Sequence, residues 1–298
     1  MFGKNIDLQT AYRKKLQELM LPVKMVDDLD RVYLPLANII HTGLNALGKT
    51  SLIGINGAQG AGKSTFNQLL KLVLETQYGL RVVGFSIDDF YLSLSERKKL
   101  SESVHPLFVT RGVPGTHDVQ LCESVIDSLS SADAKTETVI PRFDKSTDNP
   151  FPKSQWDTFV GKPDVILFDG WCVGAVEQKE TDLLKPVNDL EKEEDPYCVW
   201  RRYVNAQLKD IYRPLFEKID LLVMLKVPSF EKVYEWRKLQ EDKLRMKTAG
   251  RENLRVMSDD ELHRFISHYE RLTRFMLSEM PQRADMLFHI SDDHSICI

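Results

Sequence analysis

The chain has 298 residues, 42% hydrophobic and 28% charged, with a formal net charge of −4. This is globular composition, long enough for a large core in one or two domains, with no basic excess to suit a nucleic acid. No run approaches the roughly 20 apolar residues of a membrane span, Met1 to Arg13 lacks an apolar secretory segment, and Cys122, Cys172, Cys198 and Cys297 form no C-x-x-C pair, so a cytoplasmic protein with reduced thiols is expected.

Residues 1–50 read as an N-terminal helical extension. Leu8, Tyr12, Leu16 and Leu19, then Val32, Leu36, Ile39 and Ile40, recur at helical intervals, with Pro35 acceptable in the first turn of a second helix. From residue 51 to 298 the pattern is that of one α/β domain, a parallel sheet with helices on both faces. Ser51 to Asn56 is a short apolar run ending at a glycine-rich turn, which predicts a buried parallel strand. A helix is expected from Lys63 to about Tyr78, stopped by Gly79. Further strands are predicted at Arg81–Ser86, Asp164–Asp169, Ile219–Val227 and Ala284–Ile290. Ser93 with Glu96, and Ser258 with Glu261, have the spacing of capping boxes. The helix after Ser258 carries Leu262, Phe265, Ile266, Tyr269 and Met276 on one side, a stripe suited to core packing. Two polar stretches, Asp189–Asp195 and Lys145–Lys162, read as loops, the first a solvated one.

Gly57, Ala58, Gln59, Gly60, Ala61, Gly62, Lys63 and Ser64 fit G-x-x-x-x-G-K-[ST] in full, between a predicted strand and a predicted helix. Such glycines let several backbone N–H groups converge on phosphate oxygens, at the positive end of the following helix. Lys63 is expected to reach the outer phosphates of ATP, Ser64 to ligate Mg²⁺, and Thr65 to continue the cradle. In a parallel sheet the strand C-termini share an edge, so Asp88 and Asp169 are expected beside this loop. Transfer to an alcohol wants a carboxylate to take the hydroxyl proton and another near the metal. Asp88 is the candidate base, near Mg²⁺ as well, and Asp169 the candidate metal-side carboxylate. Together these predict phosphoryl transfer to a hydroxyl, with a nucleotide-gated ATPase as the rival; no N-K-x-D segment supports a GTPase.

Ser86-Ile-Asp-Asp-Phe-Tyr91 resembles the S-x-D-x-F-Y segment of the uridine kinase, phosphoribulokinase and pantothenate kinase group. The chain is most similar to glycerate 3-kinases and related fungal and bacterial kinases in Arg111-Gly-Val-Pro-Gly-Thr-His-Asp118, Pro141–Ser146, Phe168–Trp171, Trp236–Glu241 and Met257–Glu261. The resemblance implies a P-loop NTPase fold, ATP and Mg²⁺ as cofactors, and a small hydroxylated acceptor, D-glycerate first, with a nucleoside, pantothenate-like compound or sugar as alternatives. It also implies that a basic helix bearing Arg237, Lys243 and Arg245 closes over ATP, Arg237 acting on the transferring group. Arg111, His117, Asp118, Arg142 and Lys145 are the candidates to hold the acceptor, Arg111 by a bidentate grip on a carboxylate; a structural hydrogen bond remains an open reading of His117. Two departures stand out: Thr147–Pro150 replaces a Gly-x-Gly-Asp-Arg segment usual after Phe-Asp-Lys-Ser, and Asp169 stands where relatives usually have Glu. A monomer or a homodimer is compatible with all of this.

Overall fold

The computed structural model describes residues 2–248 and 257–297. In chain order the elements are α1 (Phe2–Glu18), α2 (Leu34–Leu47), β1 (Ser51–Gly57), α3 (Lys63–Tyr78), β2 (Val82–Ser86), α4 (Leu94–Ser103) and α5 (Val119–Ser131). Next come β3 (Glu137–Ile140), β4 (Phe143–Asp144), β5 (Asn149–Pro150), β6 (Asp157–Val160) and β7 (Val165–Gly170). The last third holds α6 (Glu180–Leu183), α7 (Asp189–Glu194), α8 (Val199–Gln207), α9 (Arg213–Phe216), β8 (Leu221–Lys226), α10 (Phe230–Thr248), α11 (Asp259–Glu279), β9 (Met286–Ile290) and β10 (Ile296–Cys297).

Six strands form the main sheet in the order β10-β9-β8-β1-β7-β2. All neighbours are parallel except β10, which pairs antiparallel with β9. Every residue of β1 and β7 is buried, as expected of central strands covered on both faces. On one face Leu52, Phe85, Phe168 and Met224 pack with residues of α5, α8 and α11. On the other, Ile53, Ile55, Leu167 and Val223 pack with Phe66, Leu69 and Leu70 of α3. The helices of the first 50 residues join that second layer: Leu8, Tyr12, Leu16, Leu36, Ala37 and Ile40 are buried in the same apolar cluster as α3 and β1.

Local signals behave as their chemistry demands. Gly79 ends α3 in the left-handed conformation, its N–H bonded to Glu75 O. Ser93 and Ser258 each cap a helix in a complete capping box. Pro35 sits in the first turn of α2.

Two expected loops are corrected. Asp189–Asp195 is no solvated loop: α7 occupies it, capped by Asn188, and Glu191 and Asp195 are each 1% exposed. Arg201 Nη1 meets Glu191 Oε2 at 3.1 Å and Arg201 Nε meets Asp195 Oδ2 at 3.1 Å, while Arg271 Nε reaches Glu191 Oε1 at 2.7 Å. Glu191 and Asp195 are buried, while Asp189, Glu193 and Glu194 stay exposed, because the buried pair meets cations from α8 and α11 that the run's own composition cannot reveal. The stretch Lys145–Lys162 contains β5 and β6; β6 pairs antiparallel with β3, Ile140 opposite Asp157. Its side chains are mostly exposed, so it lacks the apolar alternation that marks a strand.

Removing one member of a buried ionic cluster leaves the others uncompensated. Glu191→Ala is expected to cost about 3–5 kcal/mol in urea unfolding, whereas exposed Glu193→Ala stays within about 0.5 kcal/mol. Equal small losses for both would contradict the burial argument.

Candidate active site at the C-terminal edge of the sheet

The parallel register sets Ile55, Asp169 and Ser86 side by side on β1, β7 and β2. The segment after each strand therefore emerges at one edge: the glycine loop after β1, Gly170–Trp171 at the end of β7, and Asp88 after β2. Asn56, buried at the end of β1, donates through Nδ2 to Trp171 O (3.0 Å) and Val173 O (2.9 Å), tying the first two of these exits together. Ser86 starts a short turn in which its hydroxyl accepts from Asp88 N and Asp89 Oδ2 accepts from Ser86 N at 3.1 Å. Asp89 is thereby engaged with the backbone and lies 3.7 Å from Arg142 Nη1; both carboxylates line the edge, Asp88 the more exposed of the two.

A cleft of about 880 Å³ opens at this edge. Its walls include Gln59, Gly60, Lys63 and Ser64 from the glycine loop and α3, Asp88, Tyr91 and Asp169 from the strand ends and the turn after β2, and Arg111, Arg142, Lys145, Arg237 and Tyr269 from elsewhere in the chain. Gly60 has φ +84°, and a Cβ there would lie 3.1 Å from Trp236 Cβ on α10, so any other residue would be strained in its backbone and would crowd Trp236.

Lys63 Nζ donates to Gly57 O (2.6 Å) and Ala58 O (3.2 Å). Burial lowers its pKa, opposed by the charges of Asp169 and Asp88. Asp169 is buried and accepts a hydrogen bond from Asn67 Nδ2; burial is the main reason its pKa rises to about 6, with Lys63 pulling it down and Asp88 pushing it up. Burial works against ionisation of Asp88, but Lys145 Nζ at 2.7 Å on Oδ2, together with the charge of Lys63, holds the carboxyl below its usual range. Asp88 Oδ1 accepts from Tyr91 OH at 2.9 Å. Arg237 sits on α10 with Nη2 3.0 Å from Glu241 Oε2. The side chains of Lys243 and Arg245 lie outside the described residues.

Two of the expected acceptor-holding residues fall outside the cleft. His117 is 5% exposed, stacked on Tyr91 at 4.4 Å between ring centroids, with Nδ1 2.7 Å from Tyr212 OH. Burial lowers its pKa to about 4, so it is a neutral ring under the Tyr91–Asp88 pair. Asp118 is the N-cap of α5 and accepts from Leu121 N at 2.9 Å, which spends its carboxylate on the helix. Conversely, the structure brings to the cleft residues to which the sequence assigned no role in the site. Tyr269, on the apolar stripe of α11, donates to Arg111 O at 3.0 Å, and Trp171 Nε1 donates to Gly112 O at 2.9 Å. Asn67 was legible only as one more polar residue four positions after Lys63.

Among the described residues no three His, Cys, Asp or Glu side chains gather as a metal cage. The donors at the cleft fit Mg²⁺ instead, which keeps several waters and takes few protein oxygens: the Ser64 hydroxyl, the Asp169 and Asp88 carboxylates, and Asn67 Oδ1, buried without a partner.

A carboxyl whose folded pKa, about 6, lies above its unfolded value binds protons more tightly when folded. Its contribution is therefore full below pH ~4 and lost as pH rises through about 6. The stability of metal-free Asp169→Asn relative to the parent should rise between pH 4 and pH 7 in denaturant titrations. A pH-independent difference would show that Asp169 is not held in this way.

No family model matches the chain. A kinase of uncharacterised function from Schizosaccharomyces pombe, mug58, is 33% identical over 250 residues, covering 81% of this chain and 86% of that protein. The chloroplastic D-glycerate 3-kinase of Arabidopsis thaliana is 30% identical over 226 residues, 73% of this chain and 46% of that longer protein. The solved structure of D-glycerate 3-kinase from Cryptococcus neoformans superposes with a TM-score of 0.72 at 24% identity, over 89% of this chain and 97% of that one, which shows a shared fold. With the glycine loop, the parallel sheet and these relatives in agreement, the chain belongs to the family of P-loop kinases that includes mug58 and the plant D-glycerate 3-kinase.

Proposed function

We propose that this kinase transfers the γ-phosphoryl group of ATP to a hydroxyl of a small anionic acceptor, with D-glycerate the best candidate. The observation that carries the reading is the sharing of one cleft by Lys63, Asp88 and Arg111. The loop amides from Gly57 to Ser64, with Thr65 behind them, cradle the phosphates; Lys63, already half-buried against Gly57 O and Ala58 O, turns its ammonium to the outer phosphates. Asp88 is ionised at neutral pH, and a carboxylate has about four lone-pair sites. With Tyr91 and Lys145 on two of them, room remains to accept the hydrogen of an incoming hydroxyl and orient its oxygen. Arg237 and Lys145 bring positive charge to the transferring group, and Arg111 supplies a planar fork for the acceptor's carboxylate. Ser64, Asp88 and Asp169 would hold Mg²⁺, which when bound neutralises charge developing on the phosphate oxygens.

The identity of relatives at about 30% supports glycerate without deciding against other acceptors of the group. A coupled assay of ADP release against D-glycerate, uridine, pantothenate and simple polyols tests it: D-glycerate is expected to stimulate turnover most. Stimulation by another member moves the acceptor, and no stimulation at all leaves a nucleotide-gated ATPase. Asp88→Asn is expected to keep ATP binding while kcat falls by roughly 10²–10⁴, the range for losing a general base; parent-like kcat would remove that role from Asp88. Lys63→Ala is expected to abolish turnover while circular dichroism shows the protein still folded, since the ammonium's two hydrogen bonds stay within the glycine loop.

A further inference from the structure

The segment that departs from the relatives' pattern, Thr147–Pro150, makes an unusual set of contacts. Asp148 has φ +58°, a left-handed conformation that aspartate tolerates better than most residues. Its Oδ2 lies 2.7 Å from Arg97 Nη2, and its carbonyl accepts from the same nitrogen at 3.1 Å. Arg97, from α4, is fully buried; Nε donates to Leu92 O and Nη1 to Val109 O. Every branch of that guanidinium is tied to a backbone carbonyl, so it is a fixed socket. The other carboxylate oxygen of Asp148, Oδ1, accepts a hydrogen bond from Arg111 Nη1.

We infer that Asp148 is a positioning residue of the acceptor end: anchored on the buried Arg97, it holds the Arg111 guanidinium in the cleft, ready for the acceptor's anionic group. The inference rests on the acceptor role proposed for Arg111. A free arginine loses much rotamer freedom when it closes on a ligand, and a side chain already ordered in the folded protein does not. The Arg111 backbone is pinned as well: Tyr269 OH bonds its carbonyl, and a Cβ on the next residue, Gly112 (φ +138°), would fall 2.1 Å from that hydroxyl. The guanidinium lies over the Phe143 ring, 5.7 Å from its centroid, and its only described hydrogen bond leaves from Nη1. The remaining edge is available to a planar anion. Asp148 thus orders the arginine from the side and leaves the gripping edge clear.

Asp148→Asn tests this in the full-length protein, because asparagine suits the left-handed backbone and keeps an oxygen for Arg97. With D-glycerate, or the panel acceptor that the parent turns over best, acceptor KM should rise about three- to tenfold, the cost of re-ordering one long side chain. ATP KM and kcat should stay within about twofold of the parent. A crystal structure of the variant should show the Arg111 guanidinium displaced from the Phe143 ring. An unchanged acceptor KM would overturn the inference. So would a lower one, the mark of a carboxylate that merely neutralises Arg111, or an equal rise in both KM values, the mark of general loosening. If the parent itself accepts no member of the panel, the kinase reading fails separately, and the crystal structure alone decides: an unmoved Arg111 refutes the positioning role.

Discussion

The parallel register of β1, β7 and β2 is the constraint on which the site depends. These strands are almost wholly apolar and buried, so a slip of one residue would drive side chains shaped for one layer into the other. With the register held, Ile55, Asp169 and Ser86 stand abreast, and the glycine loop, the Trp171 turn and Asp88 have nowhere to emerge but the same edge. The Asn56 bridges to Trp171 O and Val173 O lock that edge across two exits. The helices of the first 50 residues contribute from behind, as part of the layer that presses α3 onto the sheet.

Within the cleft, two carboxylates of like intrinsic acidity are pushed apart by their surroundings. Asp169 is buried at a strand end beside Asn67, and its charge is costly. Asp88 has Lys145 directly on one oxygen and is held ionised. Separation of this kind assigns different work to chemically identical side chains. It comes from burial and from the placing of Lys63 and Lys145, and neither is visible in the carboxylates' own neighbours along the chain.

Arginine is repeatedly placed far from water in this fold. Arg97, Arg201 and Arg271 are each at least nine-tenths buried, and each is paired with carboxylates or backbone carbonyls. Burying a guanidinium is costly unless its donors are met, so such a residue orders everything it touches. Arg201 and Arg271 draw α7 into the structure, and Arg97 draws the Asp148 turn against α4. Both devices join segments distant in sequence.

The sequence by itself determined what local chemistry can dictate. The G-x-x-x-x-G-K-S string between an apolar run and a helix identified the phosphate cradle, Gly79 and the two serine capping boxes marked helix ends, and the apolar runs marked all the main parallel strands. These signals span a few residues, and their physics is complete within that span. Tertiary structure decided whatever needs a partner from elsewhere. It turned the acidic run at 189–195 into a short helix with one face against the protein, because Arg201 and Arg271 meet Glu191 there. It withdrew His117 and Asp118 from the cleft, giving one to Tyr212 and the other to a helix end. It brought Tyr269, Asn67 and Asp148 to the site through contacts over 158, 102 and 37 residues of chain. A side chain's type limits which bonds it can make, but only the fold decides which partner is within reach.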